Sequence, residues 1–149
     1  MNKVKIQIKR DWKEVFQIPD SKKEFGERIL PVFLNRQRWF GAKSANIKRY
    51  HIEQALPYKM SNGRTVFILF VEIVFQTSNT ETYLLPIISD LKPEDDQGVI
   101  CHLTNAKEEF KGCLIDAIYS KSFRNELFFN VVRAKRVRLP AGELKFSKG

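Results

Sequence analysis

The run VFILFVEIVF at 66–75 constrains the fold more than any other feature of the chain. Its ten residues are about half the length a membrane-spanning helix needs, and one of them is a glutamate, so the run reads as a buried strand. Phe67, Leu69, Val71, Ile73 and Phe75 form one wholly apolar set, whereas the alternate set places Glu72 between Phe70 and Val74. Successive strand side chains point to opposite sides of a sheet. One side therefore takes a helix, and the other is partly covered or waits for a partner.

Two further strands, 46–57 and 81–88, flank this run across the turn signals SNGR at 61–64 and TSN at 77–79. Shorter strands are expected at VKIQI (4–8), GVICHL (98–103) and GCLIDAI (112–118), with DLKPEDDQG (90–98) as a polar loop. SKKE at 21–24 has the capping-box pattern, with Ser21 and Glu24 as the reciprocal pair. Phe25, Ile29, Val32 and Phe33 recur behind it at helical spacing and predict a helix over about 22–35. Pro31 removes a hydrogen bond there and should kink or tighten the last turns. A second helix, about 121–134, carries Phe123, Leu127, Phe128, Val131 and Val132 on one stripe. The sum is one α+β domain, an antiparallel meander packed on one or two helices.

The formal net charge of +9 invites nucleic acid, an anionic surface or an acidic partner. Most phenylalanines fall on core-facing positions, however, and the scattered glycines form no phosphate-binding loop. Cys101 and Cys113 sit in apolar, strand-like segments and read as buried free thiols suited to a reducing cytoplasm. With isolated His51 and His102 they lack the spacing of a zinc site. Glu94, Asp95 and Asp96 read as solvated loop acids. Asp116, between Ile115 and Ala117, takes a structural hydrogen-bonding role. No nucleophile–base pair can be assembled, and the chain alone is not expected to be a complete enzyme. No apolar block marks a secretory signal or a membrane segment.

RQRWFGAK at 36–43 is the densest cluster of cations and aromatics. Trp39 and Phe40 would cover the end of the preceding helix, while Gly41 would permit a left-handed turn into the next strand. Arg36, Arg38 and Lys43 can stack on aromatic faces or neutralise helix-terminal carbonyls. Two readings stand: a helix-to-sheet corner with its own hydrophobic plug, or an anion or protein contact.

ILPVFLNRQRWFGAK also resembles the opening signature of the maltokinase N-terminal cap, in which a helix with L-P leads into Q-R-W-F-G-x-K. Ordered further likenesses are DWKEVF, Val71–Phe75 before TYLLPI at 82–87, and LIDAIYSKSFRNELF at 114–128, so that the resemblance spans about 11–145. Ala42 departs from it, standing where the family usually has a second glycine. The resemblance implies a curved, cystatin-like antiparallel sheet of about four to five strands against one long N-terminal helix, with a second helix near the C-terminus. It implies a signature and inter-lobe contact at Arg36, Gln37, Arg38, Trp39, Phe40, Gly41 and Lys43, and structural roles for Pro31, Tyr83, Pro86 and Asp116. By resemblance, residues 1–20 are a lead-in, 21–134 the cap, and 135–149 a basic linker and first strand toward the kinase lobe. The whole enzyme would phosphorylate maltose with ATP to give maltose 1-phosphate. ATP and Mg would bind in later segments and no cofactor in this chain. The implied partners are the protein's own kinase lobes and a fused or associated trehalose synthase, with no membrane and no nucleic acid. A basic nucleic-acid-binding or protein-interaction α+β module acting alone is the alternative.

Overall fold

The computed structural model describes residues 4–41 and 46–132 in full, together with the strand backbones of 136–139 and 142–145. The alternating apolar runs become the centre of a six-stranded, strongly curled half-barrel sheet. Its strands are β1 (Lys5–Gln7), β2 (Ile47–Lys59), β3 (Thr65–Phe75), β4 (Thr80–Asp90), β5 (Val99–Thr104) and β6 (Phe110–Asp116), in the spatial order β1-β5-β6-β4-β3-β2. The β2–β3–β4 meander matches the expected one. Beyond it β6 pairs with β4 from Ile87 opposite Asp116 to Asp90 opposite Cys113, and β5 lies outside β6. The sheet thus has six strands where four to five were expected, and it is not wholly antiparallel. β1 runs parallel to β5, with Ile6 opposite Leu103. The reason is topological: β1 and β2 lie at opposite edges, so the helical segment between them crosses the sheet instead of turning back beside β1. Two strands, β7 (Arg136–Leu139) and β8 (Gly142–Lys145), form a separate antiparallel ribbon.

Phe67, Leu69, Val71 and Ile73 are buried, as their period requires, in one core with Phe25, Ile29, Leu30 and Phe33. Burial of each such side chain contributes about 1.5–3 kcal/mol. On the opposite face Val66 joins a smaller cluster with Tyr58, Ile88, Ile115 and Phe123, while Ile68, Phe70 and Val74 are half-buried.

The N-terminal helical segment departs from the sequence expectation in three ways. It comprises α1 (Glu14–Gln17), α2 (Pro19–Glu24), a π-helical turn over Phe25–Ile29, and α3 (Leu30–Asn35). α2 starts at Pro19, whose fixed φ suits a first helical position. Its N-cap is Ile18 with no side-chain cap bond, so the Ser21–Glu24 capping box does not form. Glu24 instead accepts from Arg28 at 2.6 Å, and Arg28 also donates to the carbonyl of Lys5 at 2.6 Å, tying the helix to β1. Past Pro31 the last turn tightens as expected, the Arg36 amide reaching the Phe33 carbonyl at 3.1 Å. The turn before the proline widens, with the Leu30 amide reaching the Phe25 carbonyl. A wide turn accommodates a ring that would otherwise strike the carbonyl four residues back. The additional residue shifts the helical phase by one position. Val32 is consequently 47% exposed, while Leu30, Phe33, Leu34 and Gln37 turn inward.

α4 (Lys121–Val132) keeps Phe123, Leu127 and Val131 of the expected stripe on its packed side, adds two polar residues there, and turns Phe128 and Val132 out. Phe123, Glu126 and Asn130 are buried, Leu127 and Val131 are half-buried, and Phe128 and Val132 are exposed by 66% and 49%. Cys101 and Cys113 are free and buried. Burial pushes the Cys101 thiol well above its usual range. Among the described residues no helix is long and apolar enough to cross a membrane.

Candidate docking corner

The signature begins where α3 ends. The amides of Arg36 and Gln37 bond to the carbonyls of Phe33 and Leu34 at 3.1 and 3.0 Å, and the Phe40 amide reaches the Gln37 carbonyl at 3.3 Å. This tight winding swings Phe40 back over the sheet, where it is fully buried. Its ring meets Tyr83 of β4 edge-on at 5.1 Å, Tyr50 of β2 at 6.4 Å and Trp39 at 6.3 Å, and Trp39 lies 6.0 Å from Tyr83. Edge-on and tilted pairs at such spacings add about 0.5–1.5 kcal/mol each beyond their burial. Trp39 forms the outer layer of this joint, with 47% of its surface exposed.

The signature residues divide accordingly. Arg36 donates to the Val99 carbonyl at 3.1 Å, its guanidinium 5.7 Å from the Phe33 ring centroid, and so clamps α3 to the start of β5. Gln37 is buried and donates from Nε2 to the Phe33 carbonyl at 3.2 Å. Arg38 and Trp39 face outward. Gly41 makes no left-handed turn and has open space where a Cβ would stand. The left-handed residue is Asn46, φ 67°, immediately before β2. An asparagine tolerates that conformation better than most side chains. Ala42 and Lys43 lie outside the described residues.

The structural residues named from sequence are distributed around this corner. Tyr83 donates its hydroxyl to Glu81 at 2.7 Å; that bond to a carboxylate, with some burial, pushes the phenol up to about 12. Pro86 pairs with Ile68 and stands one residue before β4 gains β6 as a neighbour at Ile87. The Pro31 carbonyl accepts from Asn35 Nδ2 at 2.7 Å, and the same nitrogen lies 3.1 Å from the Tyr50 hydroxyl. Asp116 takes no part in the corner. It is buried at the end of β6, and its Oδ1 accepts from the Ile118 amide at 3.0 Å to cap the 3-10 turn Ala117–Tyr119. Burial raises its carboxyl pKa against the lowering effect of that bond.

Sequence reasoning missed Tyr50, and it missed a buried polar latch beneath α4. Glu126 accepts from the Tyr58 hydroxyl at 2.8 Å, from Ser61 Oγ at 2.6 Å and from the Ser61 amide at 3.2 Å. Asn130 Nδ2 lies 2.7 Å from the Tyr58 hydroxyl and 3.3 Å from Glu126. The available signal was the spacing of Phe123, Glu126 and Asn130, which places all three on one helical face. Because α4 docks through the face that carries this latch, Phe128, Phe129 and Val132 are left on the outside beside the exposed Lys121 and Arg124. Among the described residues no three His, Cys, Asp or Glu side chains gather as a metal site.

A curled sheet closed by a helix, with its signature motif folded into an aromatic joint, defines an α+β domain built around that corner. The particular family follows: the chain belongs to the maltokinase N-terminal cap domain family, whose model matches residues 33–119, from Phe33 in α3 to Tyr119 at the end of the 3-10 turn. The match covers more than half of the 149 residues. No curated protein matches the chain.

Proposed function

We propose that this domain is the non-catalytic cap of a maltokinase, packed beside the nucleotide-binding lobe of an enzyme that converts ATP and maltose to maltose 1-phosphate in cytoplasmic α-glucan metabolism. ATP and Mg belong to the kinase lobes on this reading, and a trehalose synthase is fused or associated. The observation that carries it is the outward placement of Trp39, Phe128, Phe129 and Val132 in a domain of the cap family. A group of neighbouring large side chains in water, such as Phe128, Phe129 and Val132 on α4, is the usual mark of a contact surface. Phosphoryl transfer depends on positioning and on exclusion of water. A rigid domain held against the nucleotide lobe supports both.

The test compares the 149-residue chain with the whole enzyme. The chain alone should form no maltose 1-phosphate from ATP and maltose, and the whole enzyme should. Trp39→Ala and Phe128→Ser in the whole enzyme should lower thermal stability, ATP affinity or turnover. Unchanged values of all three in both variants would overturn the docking role. The net charge of +9 favours a second reading, a basic module that binds nucleic acid.

A further inference from the structure

A concavity of about 400 Å3 lies between the helical segment and β2, on the side of the sheet away from β1. Lys22 and Lys23 of α2 and Arg49 and His51 of β2 line it, with Glu27 as the one carboxylate in its wall. Among the described residues the side chains of Lys22, Lys23 and Arg49 have no hydrogen-bond or ion-pair partner. Three like charges around one hollow attract an anion, and concave walls focus their field.

The floor is built by two backbone irregularities. Gly26, inside the π turn, brings the helix against Ile52, whose Cγ1 would stand 3.4 Å from an added Cβ. On β2 the ladder to β3 shifts register between Ile52 and Gln54. Both π turns and β-bulges are over-represented at binding sites. The cavity also falls within the usual range for small ligands, about 300–1,000 Å3.

We propose that this hollow binds a small phosphate-bearing molecule, its phosphate oxygens accepting from Lys22, Lys23 and, around the free edge of β2, Arg49. The site is independent of the docking role. It is nevertheless linked to the signature corner, because Tyr50, which also lines the hollow, contacts both Asn35 and Phe40. Three cations grouped at one hollow suit a compact anion better than a nucleic-acid strand, which would need a track of cations.

The experiment is an NMR amide-shift and calorimetric titration of the 149-residue chain with inorganic phosphate and, separately, with glucose 1-phosphate, at ionic strength held constant with chloride. Saturable shifts centred on Lys22, Lys23, Arg49 and His51 are expected. Lys23→Ala/Arg49→Ala should weaken binding by about tenfold or more, since a charged hydrogen bond is removed at each position. Lys22→Gln provides a second, milder variant, and unchanged melting temperatures confirm that both fold. Tighter binding of glucose 1-phosphate identifies a sugar phosphate, and equal binding identifies the free anion. Absence of saturation with either probe overturns the proposal, as does binding insensitive to all three cations. Binding confined to a single-stranded oligonucleotide with a steep salt dependence overturns it in favour of nucleic acid.

Discussion

The hydroxyl of Tyr58 donates to Oε2 of Glu126 at 2.8 Å and so joins β2 to α4. With Ser61 and Asn130 it makes Glu126 a buried carboxylate held entirely by neutral donors among the described residues. Removal of one partner from such a set strands the others. Glu126→Ala should therefore destabilise the domain by about 2–3 kcal/mol in urea unfolding, because the Tyr58 and Asn130 side chains lose a charged acceptor in a buried place. Glu126→Gln keeps the shape and part of the bonding and should cost less. Equal stability of Glu126→Ala and the parent would show that α4 is held by Phe123 and Leu127 alone.

The same latch makes stability depend on pH at both ends. Burial by itself would raise the Glu126 carboxyl, but the bonds from Ser61, Tyr58 and Asn130 outweigh it and hold the group below the ordinary carboxylate value. Its contribution is complete above the unfolded pKa of about 4.3 and is lost as pH falls through the depressed folded value. Tyr58 behaves oppositely. Burial, followed by the bond to Glu126, pushes its phenol up to about 12. Its contribution is complete below the unfolded pKa of about 10 and is lost as pH rises toward the folded one. Melting temperature measured against pH should fall on both sides of a plateau. Glu126→Gln should flatten the acid limb and Tyr58→Phe the alkaline limb.

These relationships show which parts of the molecule were legible in sequence. Phe67 to Ile73 announced a strand with a buried face because a period of two survives any change at its ends. The helical phase around Val32 was not legible, since a π turn alters the pattern by one residue and only the buried Gln37 betrays it. The Ser21–Glu24 pair was a real local preference, overridden by Pro19 two residues earlier. At the corner, the sequence identified Arg36 to Gly41 as a unit. It did not separate Phe40 and Gln37, which face inward, or Arg36, which clamps Val99 from the surface, from Trp39 and Arg38, which face out. That separation depends on Tyr50, Tyr83 and Val99, brought there by strand pairing far along the chain. α4 misled in part, because Glu126 and Asn130 are buried beside Phe123 and Leu127, and burial of Glu126 is decided by Tyr58 and Ser61, more than sixty residues away.

Gly98 lies under the side chain of Tyr119, which belongs to the 3-10 turn after β6. A Cβ at position 98 would stand 2.5 Å from Tyr119 Cγ and 2.8 Å from its Cβ, contacts that no rotation of the ring relieves. Gly98→Ala should destabilise the domain by about 1–3 kcal/mol, the usual cost of overpacking. In the double variant Gly98→Ala/Tyr119→Gly both the ring and the Cβ at 119 are gone and with them the clash, so the two changes should cost less together than the sum of the separate costs. Additive costs in urea unfolding would show that the strain lies elsewhere.

The two aromatics of the signature should separate stability from docking. Phe40 is fully buried between Tyr50 and Tyr83, and its truncation to alanine leaves a cavity that the strands β2 and β4 cannot close without breaking their pairing with β3. A cost of about 3–4 kcal/mol is expected for Phe40→Ala. Trp39 covers the same joint from outside and keeps nearly half its surface in water. Trp39→Ala should cost the 149-residue chain about 1–3 kcal/mol, the worth of its two ring contacts with Phe40 and Tyr83. If Trp39 meets a kinase lobe, the same substitution should cost more in the whole enzyme than in the isolated domain, because the lobe buries the remaining surface. Chemical denaturation of both proteins, with and without the substitution, gives the four values needed. An equal cost in the two would confine Trp39 to the internal joint and leave α4, with Phe128 and Phe129, as the surface that meets the rest of the enzyme.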